Sequence, residues 1–282
     1  MISRRNTQRL YLLRPDDLTN RIFLYALAFA AKRFNIEIIA VTTMSNHYHA
    51  VVHDRDGVLP RFLELFHALT ARALNCHRGR WENFWAAEQP NFNYCVEQGD
   101  VLDKTVYALA NPVSAHLVDK VAHWPGVSSM NWLDGRTITV KRPHLFFTSR
   151  MPESISFQLS VPPRFDGDRA QWSDQVRAHV ADAEKAAAAK RAAAGIRVVG
   201  RKNVLATSPL DRPSNHEPRR RLRPLIAAKN RWARIRAIAA LREFRRLYHK
   251  ARAAFCAGLR SVLFPVGTFG LVHSCGVSVA PS

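Results

Sequence analysis

A run rich in β-branched residues, Ile36-Glu37-Ile38-Ile39-Ala40-Val41-Thr42-Thr43, then Ser45-Asn46, then a second apolar stretch at Ala50-Val51-Val52, constrains this chain most. β-branched side chains pack well on a pleated surface and read as a strand. Ser and Asn favour turns. A second strand therefore starts near His47, and the two strands form a pair over Ile36 to His53. Successive side chains of a strand alternate between faces, so His47 and His49 project one way and Tyr48 the other. Two imidazoles placed like this can converge on one metal.

About sixty residues further on, Val106, Leu109, Ala110 and Val113 recur at helical spacing within Asp103 to Val118, with Asp103 as the expected N-cap. Tyr107 and Asn111 are then i and i+4 on one face. Pro112 lacks an amide proton and crowds the preceding turn, so a kink or restart is expected beside Asn111.

Around these motifs the pattern predicts a first strand at Arg9 to Leu13, a helix from Thr19 to Phe34, a helix from Leu59 to Arg78, an irregular aromatic stretch from Trp81 to Pro90, and a strand at Phe92 to Val96. Strands and helices in this order imply an α+β fold, a ferredoxin-like antiparallel sheet with packed helices.

Met44-Ser45-Asn46-His47-Tyr48-His49 and Tyr107-Ala108-Leu109-Ala110-Asn111-Pro112-Val113 resemble the motifs of the single-tyrosine transposases of the HUH nuclease class, most closely the REP-associated tyrosine transposases. That family carries Met-Pro-Asn-His-x-His at the start of a central strand and Tyr-x-x-x-Asn-Pro-Val on a later helix. Ser45 replaces the commoner proline. Trp124-Pro125-Gly126-Val127-Ser128-Ser129 is similar, with one extra residue, to the family's Trp-Pro-x-Ser-Ser segment closing the domain. The likeness spans Gln8 to Met130 and leaves the rest of the chain uncovered.

The resemblance implies His47, His49 and Asn111 as metal ligands, Tyr107 as nucleophile, and magnesium or manganese as the divalent metal. Cleavage of single-stranded or hairpin DNA would leave a 5′-phosphotyrosine and a free 3′-hydroxyl. It also implies a catalytic domain over residues 1–150.

The formal net charge of +20 at pH 7 favours a polyanionic partner, most simply nucleic acid. Cys76, Cys95, Cys256 and Cys275 form no C-x-x-C pair, which fits a reducing cytoplasmic setting. The apolar stretch Ile22 to Ala31 is too short to span a bilayer, no signal-peptide pattern opens the chain, and no membrane partner is expected.

Residues 151–218 read as a linker carrying an alanine-rich helix from Arg169 to Ala194, on composition a solvated spacer. Residues 219–282 read as a basic helical C-terminal extension that binds DNA. Arg219 to Arg252 holds thirteen Lys or Arg against the single acid Glu243, and Trp232, Ile235, Ile238, Leu241 and Phe244 recur at helical intervals. Phe264 to Gly270 carries turn signals and is expected to pack back on the domain.

Among competing residues, Tyr48 points away from the histidine pair, and His53 lies about 13 Å beyond His49, too far to share a metal. His67, His116 and His123 are expected to be structural or exposed. Arg55, Arg61, Arg72 and Arg78 are candidates for a DNA groove or merely solvated. Three function classes follow: a single-strand endonuclease and strand transferase, a catalytically inactive DNA-binding protein on the same fold, and an unrelated H-x-H metalloenzyme acting on a small molecule. Monomer and homodimer are both compatible with the sequence.

Overall fold

The computed structural model describes residues 1–215 and 225–281. Its first strand, β1, spans Ile2–Arg5 rather than the expected Arg9 to Leu13. Gln8 and Arg9 have φ values of 49° and 62°, and Thr7–Arg9 forms a 3-10 turn, so no strand passes through them. Leu12 and Leu13 are nonetheless buried. They are apolar because the loop enters the core, which from sequence alone reads like a strand.

Helix α1 runs over Asp17–Arg33, and the Asp16 carboxylate accepts the Thr19 amide at 2.7 Å as its N-cap. Strands β2 (Ile36–Met44) and β3 (His47–Asp54) follow as the expected antiparallel pair, then helix α2 (Leu59–His77) and the short strand β4 (Asn91–Phe92). The sheet order is β2-β3-β1-β4, with every pairing antiparallel. Together these elements make the β-α-β-β-α-β run of a ferredoxin-like fold. Helices α1 and α2 cover one face, where Phe23 and Tyr48 meet Phe66 edge-on at centroid separations of 5.2 and 5.4 Å.

Strand β5 (Tyr94–Cys95) leaves this sheet, and helix α3 (Gln98–Ser114) packs on β2 and β3. Because α1 and α2 occupy the Tyr48 face, α3 lies on the face that carries His47 and His49. The segment after it seals the free edge of β2. Trp124 Nε1 donates to the Thr43 carbonyl at 2.8 Å, Thr43 and Val127 exchange bonds at 2.9 and 3.0 Å, and Ser129 Oγ accepts the Val41 amide at 2.9 Å. Covering an open edge this way blocks stray strand pairing.

A second hairpin, β6 (Ile138–Lys141) with β7 (Ser154–Phe157), was not foreseen and packs on α1 through Val140 and Ile155 against Tyr25 and Ala28. Helix α4 covers Arg169–Ala194 as the sequence predicts, with an Asp168–Gln171 capping box and Gly195 closing it at φ 62°. It is not a solvated spacer. Trp172, Val176, Val180 and Ala187 belong to the main core, and the helix lies along α3. Its alanine-rich composition conceals a narrow apolar stripe at helical spacing.

Helix α5 (Arg201–Ala206) leads toward β8 (Ile226–Ala227), which pairs parallel with β5. Helix α6 (Arg231–Cys256) is basic, and α7 spans Gly270–Cys275. The beginning of the basic segment, residues 219–224, lies outside the described residues. The expected apolar stripe on α6 holds only in part: Leu241 and Phe244 face a cavity of about 1090 Å³ against the core, whereas Trp232 and Ile235 are 67% and 45% exposed. The docking face is shifted toward Ala233, Tyr248 and Ala251, since Phe264 packs on the last two. The C-terminal segment does fold back, with the Phe269 ring filling the space a side chain at Gly57 would need.

The α1 cap doubles as an ion pair. Arg78, 7% exposed at its side chain, donates to Asp16 Oδ2 at 2.8 Å and to Thr19 Oγ1 at 2.6 Å. Burial raises the Asp16 pKa, but the Thr19 bonds and the Arg78 charge outweigh that and hold it down to about 2. Asp16→Ala is expected to lower stability by about 2–3 kcal/mol, from a lost cap and a stranded guanidinium, measured by urea unfolding. In the wild type this contribution is present above the unfolded aspartate pKa and fades as pH falls through about 2.

Candidate metal and tyrosine site

The turn between β2 and β3 is tied to the chain after β1. The Asn6 amide donates to the Asn46 carbonyl at 2.8 Å and the Leu13 amide to the Ser45 carbonyl at 2.9 Å. These bonds hold the turn without the proline that Ser45 replaces. Cross-strand register then sets the neighbours: Arg5 and Met44 lie opposite His47, and Ser3 and Thr42 lie opposite His49.

His47 Nδ1 is 2.7 Å from Asn46 Oδ1. With Asn46 Oδ1 as the acceptor the ring takes the Nδ1–H tautomer, which leaves Nε2 unprotonated toward the site. That Nε2 lies 3.1 Å from His49 Nε2, and the Asn111 carboxamide lies 3.3 Å from the same His49 atom. Two imidazole nitrogens and one amide thus turn to a common point. The amide oxygen and nitrogen are interchangeable by a flip, so Asn111 can present Oδ1 there. His49 Nδ1 is buried without a hydrogen-bond partner among the described residues.

Burial, then the charge of Arg5, lowers the His47 pKa to about 4. Burial, followed by His47, Arg5 and Lys104, pushes that of His49 well below the ordinary imidazole range. Both rings are neutral at neutral pH, the state a metal ligand requires.

Helix α3 begins at Gln98 under a Glu97–Asp100 capping box, five residues before the expected start. Asp103 is not the N-cap; it pairs with Lys229 Nζ at 2.6 Å, while Asp100 accepts the Lys229 amide at 2.9 Å. The start of the tyrosine helix is thereby joined to the strap leading into α6. The helix runs through Pro112 and ends at Ser114. Pro112 stands in the last turn and starts no second helix, because few residues follow it to be misaligned.

Tyr107 lies edge-on to the His49 ring at 5.3 Å between centroids, is 51% exposed, and has the Lys104 ammonium 5.7 Å from its ring centre. All four residues expected at the site, His47, His49, Tyr107 and Asn111, are therefore neighbours. Tyr48 is fully buried on the opposite face with its hydroxyl 2.7 Å from His67 Nε2. His53 is engaged with Glu37 at 2.8 Å, and His123 with Asp119 at 2.6 Å. Arg78 belongs to the α1 cap and is not free to line a groove, whereas Arg55 is 59% exposed with one contact to Glu37 at 3.4 Å.

Two residues at the site escaped sequence reasoning. Lys104 was legible in principle, one turn before Tyr107 on the same helix. Arg5 was not, because its position depends on a strand register that no local signal reveals.

No protein-family model, no curated protein and no solved structure matches the chain. Among the described residues no group of three or more His, Cys, Asp or Glu side chains could hold a metal ion. A metal here would rest on His47, His49 and the Asn111 amide. Two imidazoles with one amide oxygen suit manganese better than magnesium, which favours oxygen throughout.

Behind the sheet, Arg4 donates to His67 Nδ1 at 2.6 Å, so His67 Nε2 carries the proton and donates to Tyr48. Burial, then the Arg4 charge, lowers the His67 pKa to about 2. The unfolded chain takes up this proton near pH 6.5 while the fold refuses it until about 2. Stability is therefore expected to fall with pH below about 6.5, by about 1.4 kcal/mol per unit from this group. Urea midpoints at pH 7 and pH 5 test the sign.

Proposed function

We propose that this protein is a transposase-type single-stranded DNA endonuclease and strand transferase, with Tyr107 as nucleophile and His47, His49 and Asn111 as ligands of a divalent metal. The observation that carries the reading is the convergence of the two Nε2 atoms, 3.1 Å apart, with the Asn111 amide 3.3 Å from one of them, beside a half-exposed tyrosine. The pattern agrees with the resemblance to REP-associated tyrosine transposases.

The tyrosine oxygen forms a bond to the scissile phosphorus as the bond to the 3′ oxygen breaks. The phenolic proton passes to solvent, and the departing 3′ oxygen takes up a proton from solvent to leave as a hydroxyl. When bound at these residues, a manganese or magnesium ion would polarise the phosphate. Because the phosphotyrosine keeps the energy of the phosphodiester, a 3′-hydroxyl can reverse the step and rejoin strands without ATP. His47 and His49, held neutral by burial, would hold the ion, and the Lys104 ammonium, 5.7 Å from the Tyr107 ring centre, adds positive charge beside the nucleophile.

The DNA partner is supported by the net charge of +20 and by α6, where Glu243 is the only acid and is paired with Arg246 at 2.6 Å. Among the described residues no helix is long and apolar enough to cross a membrane. The four cysteines are free thiols, in keeping with a cytoplasmic location.

The test is to incubate the protein with labelled single-stranded hairpin DNA and manganese or EDTA and run a denaturing gel. A metal-dependent covalent adduct with release of a 3′-hydroxyl strand is the expected outcome. Tight, salt-dependent DNA binding with no adduct would instead identify a catalytically inactive binding protein.

A further inference from the structure

We propose that Trp81 is a stacking platform for an unpaired base of single-stranded DNA, in a cleft flanking the histidine turn. This rests on the nuclease reading and extends it to how the strand is held. Trp81 is 90% exposed, whereas Trp85, Trp124 and Trp172 are buried. It lines a cleft of about 440 Å³ with Thr7, Gln8, Arg80, Glu82 and Asn83.

A single exposed aromatic ordinarily needs no explanation. This one sits on a pinned loop: Asn75 Nδ2 donates to the Glu82 carbonyl at 2.6 Å, the Arg80 amide to Asn75 at 2.8 Å, and the Thr7 amide to Phe84 at 2.9 Å. The facing wall holds Gln8, which with Arg9 makes two consecutive non-glycine residues in the left-handed region. Strained backbone of that kind clusters at functional sites. Arg80 Nε is buried with no hydrogen-bond partner among the described residues.

The wall is continuous with the catalytic turn, since Asn6 and Leu13, on either side of Gln8, bond to Asn46 and Ser45. Cleft wall and histidine turn are therefore joined by backbone hydrogen bonds. An indole offers a π-face to any base, the Gln8 and Asn83 amides can meet a base edge, and Arg80 supplies a cation for the adjoining phosphate. Bases in a duplex are already stacked on both faces, so only an unpaired base can use the platform.

The experiment is fluorescence anisotropy with the full chain, wild type, Trp81→Ala and Trp81→Phe, using a labelled oligothymidine of about 16 nucleotides and a duplex of equal length at one salt concentration. The expected result is a loss of single-strand affinity of about 5- to 100-fold in Trp81→Ala, little loss in Trp81→Phe, and unchanged duplex binding. Equal single-strand affinity in Trp81→Ala and wild type, or equal losses on both DNAs, would overturn the proposal. Adduct formation is scored in parallel on single-stranded hairpin DNA with manganese. An adduct with unchanged Trp81→Ala affinity removes the platform alone, while Trp81-dependent binding without an adduct removes the nuclease reading, on which the placement of this base depends.

Discussion

Replacing Tyr107 by phenylalanine is expected to abolish the covalent protein–DNA adduct, a loss of at least about 1000-fold, while DNA affinity and the unfolding midpoint stay near wild type. The substitution removes one oxygen. In the proposed reaction that oxygen forms the covalent link, so no partial activity should survive. The ring is 51% exposed and contributes an edge contact to His49 that phenylalanine keeps, so folding has little reason to change. Loss of the adduct together with loss of fold or of DNA binding would point to a structural tyrosine. Full retention would move the nucleophile elsewhere, although Tyr48 is poorly placed for it: burial raises its pKa, and it lies across the sheet from the histidines.

The second large effect concerns the donor set. His47→Ala and His49→Ala are each expected to reduce adduct formation by at least about 100-fold at limiting manganese, with partial recovery at high manganese for either variant. The reason is geometric: each ring brings one Nε2 to the same point, and removing either leaves one imidazole and an amide. Isothermal titration with manganese alone should show the same ranking without DNA. If wild type and both variants bound manganese identically, the histidine pair would be a buried polar contact and not a metal site.

How legible this was in the sequence varied by element. The β2–β3 hairpin and the shared face of His47 and His49 could be read directly, because strand alternation is strict and the turn residues were explicit. The pairing of Tyr107 with Asn111 followed from helical spacing, even though the helix starts five residues earlier than Asp103; Asp100 and Asp103 both look like N-terminal residues, and only the capping box distinguishes them. The first strand was misplaced because Leu12 and Leu13 are core residues of a loop, while Ile2–Arg5 offers just one buried apolar side chain. Packing of α4 was hidden by alanines, which leave Trp172, Val176 and Val180 to carry the apolar face. What sequence could not supply was register. Arg5 meets His47, and Arg4 meets His67, through pairings and packing between segments distant in the chain.

Attack of Tyr107 on DNA is read out at the level of the residue by mass spectrometry of the adduct. The protein would be incubated with single-stranded hairpin DNA and manganese, digested with nuclease and protease, and searched for a nucleotide-modified peptide. A 5′-phosphotyrosine at Tyr107 is the expected result. A modification at another tyrosine, or none on protein shown to bind the same DNA, would contradict it.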